Sequence, residues 1–333
     1  MRTTRSLFFT GPRRLAIRDE PFPELPRGEV LVETMSSAIS AGTEMLVYRG
    51  QAPAGLTADE SIPALPGSLE YPLKYGYAAV GRVAAVGPAV DPALQDALVF
   101  SFQPHQAHFT ASEGDLVLLP EGISQEDGVF LANMETALGL VMDGAPLAGE
   151  RVAVLGQGVV GLLTAGILAG YPLEKLVGFD PFPVRREMAE TFAGIRAAPP
   201  EEISAAPRDY DLVFELTGDP AALDDAITLA GLDARIVVGS WYGSKKAAVD
   251  LGGHFHRGRI RLISSQVSRL APALTGRWTK ERRMAFAVEL LARLRPSRLI
   301  THRFPLERAA EAYALIDERP EETMQVVLEY QKN

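Results

Sequence analysis

A glycine-rich turn between a strand and a helix limits the folds that this chain can adopt. The run Arg151–Leu155 has the length and apolar content of a buried strand, and Val159–Ala169 favours a helix. Between them lies Gly156-Gln157-Gly158-Val159-Val160-Gly161. In such a turn the first glycine permits the tight bend, the second lets the backbone approach a phosphate, and the third lets helix and strand pack closely. The pattern predicts a phosphate-binding turn at a helix N-terminus, at the start of a βαβ unit.

An acidic residue follows the next strand of this unit. The segment Leu176–Phe179 runs into Asp180, which is 180 − 156 = 24 residues after Gly156. A ribose-binding carboxylate is expected at a spacing of about 20 residues. It accepts hydrogen bonds from the ribose hydroxyls and repels a 2′-phosphate, so the sequence predicts NAD in preference to NADP. Arg185 and Arg186 lie close by and keep NADP open as the second choice.

The remaining pattern divides the chain into a β-rich first third and an alternating region that begins near residue 125. Short apolar runs separated by helical segments indicate parallel βαβ units, and therefore a doubly wound sheet. Besides Arg151–Leu155, the predicted strands of this sheet are Lys175–Phe179, Leu212–Leu216, Arg235–Val238 and Arg261–Ser265.

Composition excludes several functional classes. The formal net charge of −9 disfavours nucleic acid, whose phosphates require a basic surface. Because the chain has no cysteine, it has no disulfide, thiolate nucleophile or cysteine-based metal site. The apolar stretch 152–168 is too short and too rich in glycine for a membrane span, which needs about 20 residues. We expect a cytoplasmic protein without membrane partners that acts on a small molecule.

The order of the motifs resembles the medium-chain dehydrogenase/reductase superfamily, of the zinc-type alcohol dehydrogenase-like kind. The resemblance rests on Glu29–Val32, Ala41–Glu44, Gly76–Gly87, the glycine turn and Leu299–Leu306. It implies a GroES-like β-rich catalytic domain formed by residues 1–132 and 269–333, and a Rossmann dinucleotide-binding domain at 133–268. It also implies an oxidoreductase for an alcohol/carbonyl pair, and a homodimer joined edge to edge through Arg261–Ser265.

The chain departs from this superfamily at the metal site. Zinc members carry Cys-Gly-Ser/Thr-Asp where this chain has Ala41-Gly42-Thr43-Glu44, and Gly-His-Glu where it has Gly76-Tyr77-Ala78. The four-cysteine lobe that binds a structural zinc is missing as well. Loss of these ligands removes the Lewis acid that would polarise a carbonyl. We therefore expect a zinc-independent branch with no bound metal.

Something else must then stabilise the alkoxide and deliver a proton. Thr43 aligns with the hydroxyl of the superfamily's proton relay. Tyr77 stands where a zinc-binding histidine would be, and its phenol could donate to a carbonyl oxygen or merely fill the space. Lys74 could lower the pKa of this phenol if the two side chains approach each other.

Other polar residues leave alternatives open. His105 and His108 are candidates for a general acid, for metal ligands together with Glu44 or Glu135, or for structural residues of a loop. Glu135 itself could face the cleft or only cap or solvate a helix. Ser240 and Trp241 follow a predicted strand at the place where the resemblance puts the nicotinamide ring.

Three functions compete on these observations. The first is an NAD(H)-dependent, zinc-independent dehydrogenase or reductase of an alcohol/carbonyl pair. The second is an NADPH-dependent reductase of quinones or enones, which needs little beyond the cofactor and a proton donor. The third is a non-catalytic dinucleotide-binding redox sensor.

Overall fold

The computed structural model describes residues 3–59 and 62–331. The strands are β1 (Thr3–Gly11), β2 (Arg14–Pro21), β3 (Glu29–Ile39), β4 (Leu73–Lys74), β5 (Ala79–Val86), β6 (Leu98–Ser101), β7 (His108–Ser112), β8 (Val117–Leu118), β9 (Arg151–Leu155), β10 (Lys175–Phe179), β11 (Arg196–Ala198), β12 (Tyr210–Glu215), β13 (Ala230–Val238), β14 (Arg261–Ser264), β15 (Ile300–Pro305) and β16 (Gln325–Glu329). The α-helices are α1 (Thr43–Tyr48), α2 (Gln125–Gly128), α3 (Leu131–Gly144), α4 (Val159–Leu168), α5 (Pro183–Met188), α6 (Ala222–Leu229), α7 (Lys280–Leu294) and α8 (Ala309–Glu318). Among the described residues, no helix is both long and apolar enough to cross a membrane.

The chain forms two compact units. The first unit comprises residues 1–132 and 295–333, and the second comprises residues 133–294. Residues 269–294, which the sequence assigned to the β-rich domain, lie instead in the second unit. The reason is the packing of α7: its last residue, Leu294, lies beside Gly166 of α4, where an added Cβ would be 3.3 Å from the leucine.

The first unit is built from two mainly antiparallel sheets. The smaller sheet has the order β2-β1-β4, and the larger has the order β15-β16-β3-β5-β6-β8, with β7 also paired to β3. Only β15 and β16 run parallel. Phe9 of β1 and Tyr313 of α8 are both fully buried and meet edge to face, with ring centroids 5.4 Å apart. This contact anchors α8 on the small sheet.

The second unit contains a parallel sheet of order β11-β10-β9-β12-β13-β14. In chain order this is 3-2-1-4-5-6, the doubly wound arrangement of a Rossmann sheet. Val152, Ala153 and Val154 of the central strand are completely buried, as expected for a strand covered on both faces. Together with the β-rich first unit, this sheet confirms the predicted α/β fold class. The strand order reverses direction between β9 and β12, where such sheets bind ligands at their carboxyl edge.

Candidate functional site

The glycine turn connects β9 to α4 and leaves an open surface at its centre. Gly156 has a φ of +88°, and an added Cβ would lie 2.6 Å from the carbonyl oxygen of Leu216. A Cβ on Gly161 would lie only 1.9 Å from the carbonyl oxygen of Gly156, so helix and turn touch there. Gly158, by contrast, has nothing within 4 Å of such an atom. Close packing therefore leaves no room for a side chain at Gly156 and Gly161, whereas the space at Gly158 is open.

The first residues of α4 are accessible beside this free position. Gly158, Val159 and Val160 are partly exposed, whereas Gly156 and Gly161 are buried. The first N–H groups of a helix have no acceptor within the helix, so they are available to an anion. The donor set, the dipole and the open Gly158 together fit a dinucleotide pyrophosphate.

Asp180 links the end of β10 to the glycine turn. One carboxylate oxygen, Oδ2, accepts from the Gln157 amide at 2.8 Å, and Oδ1 accepts from the Phe182 amide at 2.9 Å. The residue is only 1% exposed. The Arg185 guanidinium lies 3.8 Å from Oδ2, and Arg186 donates to the carbonyl oxygen of Asp180 at 2.8 Å. The predicted acid is thus adjacent to the predicted turn, with both arginines around it.

Ser240 and Trp241 follow β13 at the same carboxyl edge of the sheet. The Ser240 hydroxyl accepts from the Gly218 amide at 2.9 Å, which ties the loop after β13 to the loop after β12. Trp241 is 36% exposed, so its ring is not a core residue. Both positions remain predicted cofactor contacts.

Glu215, which the sequence reasoning missed, joins these two loops a second time. It ends β12, is completely buried, and accepts from both the amide and the hydroxyl of Thr217, at 2.8 and 2.5 Å. Its other oxygen accepts from the Tyr242 phenol. The signal was available, because a carboxylate directly after the apolar residues Leu212–Phe214 repeats the pattern that led to Asp180.

In the first unit, Tyr77 and Thr43 lie together. The side chains of Thr43 and Ser40 lie beside the Tyr77 phenol, where they act to lower its pKa. Burial raises the pKa of Tyr77 to about 12, and the negative charge of Glu44 acts in the same direction, whereas the two hydroxyl contacts oppose the shift. The neighbouring Ala41 is exposed, and Thr43 and Tyr77 are partly exposed. A protonated phenol in this position can donate to a carbonyl oxygen at neutral pH.

Behind these hydroxyls, the Glu44 carboxylate collects a buried network. Its Oε1 accepts from the Ser40 amide at 2.9 Å, and its Oε2 lies 2.9 Å from Nε2 of His105 and also accepts from the Tyr313 phenol. Nδ1 of the histidine lies 2.6 Å from the Ser37 hydroxyl. Each ring nitrogen of His105 therefore has a hydrogen-bonding partner inside the unit.

This network argues against the predicted role of His105 as a general acid that reaches the substrate. The histidine is 0% exposed, and both ring nitrogens are already engaged. Its ring also fills the space over Gly76, where an added Cβ would lie 2.8 Å from Nε2. The sequence revealed the residue type but not the depth at which it is buried.

Lys74 likewise does not meet the phenol as predicted. Its ammonium group donates to Glu20 at 3.0 Å and to Gln106 at 3.2 Å. Consistently, the pKa of Tyr77 is raised, and Lys74 is not among the groups that shift it. Lys74 and Tyr77 are separated because β4, to which Lys74 belongs, pairs with β1 and directs the lysine towards Glu20 on β2.

The remaining candidates for metal ligands are separated as well. Nδ1 of His108 lies 3.0 Å from the Thr4 hydroxyl, away from the Glu44 network. In the second unit, Glu135 receives two hydrogen bonds from Arg283, at 2.7 and 3.2 Å, and both residues are buried. Among residues 3–59 and 62–331, no group of three acidic or histidine side chains is arranged to hold a metal. Glu135 of α3 therefore forms a buried ion pair with Arg283 of α7, and it neither caps nor solvates a helix as one interpretation of the sequence had it.

Comparisons with known proteins agree with this arrangement. No family model matches the chain. It is 27% identical over 331 residues to the 2-desacetyl-2-hydroxyethyl bacteriochlorophyllide A dehydrogenase of Cereibacter sphaeroides, covering 94% of both chains. The alcohol dehydrogenase RspB of Escherichia coli CFT073, solved with NADH, superposes with a TM-score of 0.77 at 19% identity, covering 98% of this chain and 99% of RspB. An NADP-bound zinc-binding dehydrogenase of Sinorhizobium meliloti 1021 superposes with a TM-score of 0.79 at 17% identity, covering 99% and 100%.

The class of the protein follows from fold, site and relatives together. The relatives and structural neighbours are zinc-type alcohol dehydrogenase-like members of the medium-chain dehydrogenase/reductase superfamily, which confirms the resemblance seen in the sequence. The chain is accordingly an oxidoreductase of the NAD(P)-dependent class.

Proposed function

We propose that the protein is an NAD(H)-dependent, zinc-independent oxidoreductase that transfers a hydride between nicotinamide and an alcohol/carbonyl substrate. The observation that carries this proposal is the open Gly158, held between the first turn of α4 and Asp180 at the carboxyl edge of the sheet. The bound nicotinamide supplies or accepts the hydride. The protein's own residues hold the dinucleotide and move the proton.

The proton is assigned to Tyr77. Reduction of a carbonyl leaves a negative oxygen that must be neutralised, and a neutral phenol with a pKa of about 12 carries its proton throughout the physiological range. The orientation of the phenol is assigned to Thr43 and Ser40, whose side chains lie beside it. Thr43 also provides a path by which the proton can be replaced.

Zinc independence is supported by the residues at the former metal positions. Ala41 and Ala78 have no donor atom, and a phenol with a raised pKa is a poor metal ligand. Glu44 and His105, which are the nearest metal-binding types, bind each other and three hydroxyl or amide groups. Metal analysis of the purified protein tests this directly, since one equivalent of zinc that supports activity and is lost with chelators would contradict it.

The preference for NAD rests on Asp180. Its charge repels a 2′-phosphate, while Arg185 and Arg186 partly offset that charge. We expect NADH to bind at least about tenfold more tightly than NADPH, equivalent to about 1.4 kcal/mol. The Asp180→Asn variant should narrow this ratio by strengthening NADPH binding. Asp209→Asn, which precedes β12 and pairs with Arg151, is the control with an unchanged ratio.

The substrate is proposed to be a secondary alcohol or its ketone. The name of the Cereibacter sphaeroides relative specifies a hydroxyethyl group in place of an acetyl group, which is such a pair. Oxidation of secondary alcohols with NAD⁺ and reduction of ketones and enones with NADH and NADPH should be assayed side by side. Turnover of enones or quinones alone with NADPH would favour the second function, and cofactor binding without turnover would favour the redox sensor.

The role of Tyr77 is tested in the same assay. Tyr77→Phe should lower kcat about 10²- to 10⁴-fold, the usual contribution of a general acid, with little change in cofactor affinity. Tyr75→Phe is the matched control, because Tyr75 is a buried neighbour whose ring meets Tyr77 edge to face. Equal losses in both variants would show a packing role instead.

We further propose a homodimer formed through the edge of the parallel sheet. Strand β14 ends the sheet, and Leu262 on it is 41% exposed. An exposed strand edge with an apolar side chain is a ready site for pairing with a second copy. Light scattering should give a dimer for the wild type and a monomer for Ile263→Pro.

A further inference from the structure

Glu215 is a buried carboxylate at the carboxyl edge of the parallel sheet that the proposed function does not use. Glu215 is completely buried, and its contacts are the amide and hydroxyl of Thr217 and the phenol of Tyr242. Burial and the neighbouring carboxylate raise the pKa of the Tyr242 phenol well above its usual range, so this partner stays neutral and donates. These groups hydrogen-bond the Glu215 carboxylate and bring no positive charge to it.

Glu215 lies beside the turn that holds the dinucleotide. Strand β12, which it ends, is the direct neighbour of β9, and Glu215 pairs with Leu155, the residue before the glycine turn. The following backbone touches the turn, since an added Cβ on Gly156 would be 2.6 Å from the Leu216 carbonyl oxygen. This is the point where the strand order reverses, and a dinucleotide laid across it extends from the β9 side over the ends of β12 and β13.

The same carboxylate fixes the two loops at those strand ends. It holds Thr217 in the loop after β12 and Tyr242 in the loop after β13. Two further bonds join these loops, from the Gly218 amide to the Ser240 hydroxyl and from the Lys245 ammonium group to the Gly218 carbonyl oxygen. The loops after β12 and β13 are thus joined by several hydrogen bonds and enclose the Glu215 carboxylate.

We propose that Glu215 is a positioning residue for the nicotinamide half of the cofactor, and that its buried charge makes the protein favour the oxidised, cationic ring over the reduced, neutral ring. This inference rests on the proposed dinucleotide site. A charge enclosed in protein is screened far less than a surface charge, so the Glu215 carboxylate would act on a nicotinamide ring bound at these strand ends without touching it. The hydrogen bonds contribute to affinity for both forms, whereas the charge discriminates between them.

The test compares the dissociation constants of NAD⁺ and NADH, measured by calorimetry and by NADH fluorescence, and needs no substrate. Glu215→Gln keeps the shape of the side chain and removes the charge. We expect it to weaken NAD⁺ relative to NADH by about tenfold. Tyr242→Phe is the matched control, because it removes a hydrogen bond and retains the charge; it should weaken both forms equally.

Two more variants keep the inference testable if Glu215→Gln does not fold. Glu215→Asp retains the charge and should keep the wild-type ratio even where affinity falls. Lys245→Gln removes an exposed positive charge from the same two loops. It should strengthen the binding of NAD⁺ relative to NADH at low salt. The inference is overturned if the ratio of the NAD⁺ and NADH dissociation constants is unchanged in Glu215→Gln. It is also overturned if this ratio changes about tenfold in Glu215→Asp, which retains the charge. Failure of the wild type to bind either form would instead overturn the proposed function.

Discussion

Replacing Gly158 by alanine should separate cofactor binding from folding. The backbone at this residue is extended, with φ −70° and ψ −175°, which alanine adopts without strain. Nothing lies within 4 Å of the added Cβ. The methyl group would therefore project into the open space above the turn, which we assign to the pyrophosphate.

The expected magnitudes follow from this geometry. Without a clash, the substitution reduces the freedom of the unfolded chain and should change stability by no more than about +0.4 to +1 kcal/mol. A phosphate pushed outward by the methyl group loses charge-assisted hydrogen bonds to the helix N-terminus, and each contributes about 1.5–3 kcal/mol. The dissociation constant for NADH should then rise about 10- to 150-fold.

Two measurements on the same sample decide the matter. Urea unfolding gives the stability of the protein without cofactor, and NADH fluorescence titration gives the affinity. If Gly158→Ala were as stable as the wild type and bound NADH equally well, the pyrophosphate could not lie against this backbone. The assignment of the glycine turn as the cofactor site would then be wrong.

Three other changes test the remaining structure. Gly161→Ala places a Cβ 1.9 Å from a backbone oxygen and should lower the free energy of unfolding by about 1–3 kcal/mol, with Gly158→Ala as the control. Arg283→Met leaves Glu135 buried without its partner and should lower the free energy of unfolding in urea by about 3–5 kcal/mol. The double variant with Glu135→Leu should recover most of this loss. If the losses of the two single variants simply add in the double variant, the pairing is contradicted. The pKa of Tyr77 in the folded protein, about 12, exceeds its ordinary value of 10.0, so the protonated phenol stabilises the fold fully below pH 10 and this stabilisation is lost as the pH rises through 12. The stability advantage of the wild type over Tyr77→Phe should therefore shrink between pH 9.5 and 11, and a constant difference would exclude the shift.

The glycine turn and its acid could be predicted because backbone geometry dictates residue type there. The strand Arg151–Leu155 and the contact between Asp180 and the Gln157 amide correspond to the pattern in the sequence. At positions 156 and 161 any side chain would collide with a backbone oxygen, so the glycines themselves indicate the tight turn. The domain boundary was harder to predict than the glycine turn. The amphipathic pattern of α7 indicates that one face of the helix is buried, but not which unit it packs against.

The interior of the β-rich unit could not be predicted in the same way. His105 looked like a reactive loop residue because polar neighbours surround it in sequence. Its burial depends on Ser37 and Tyr330, whose hydroxyls are 2.8 Å apart although the residues are 293 positions apart in the chain. Lys74 was matched to Tyr77 by proximity in sequence, whereas Glu20 on another strand is its actual partner.

The buried polar groups around Glu44 fix the shape of this part of the first unit through hydrogen bonds. A buried carboxylate needs several donors, and Glu44 obtains them from the turn at Ser40, from His105 and from Tyr313. These donors come from separate segments of the first unit, so the carboxylate fixes their relative positions much as a shared ligand would. The cost of leaving any one donor unpaired then favours a single arrangement. Tyr77 and Thr43 lie at the accessible rim of this arrangement, so they are held in place by it and remain available for chemistry.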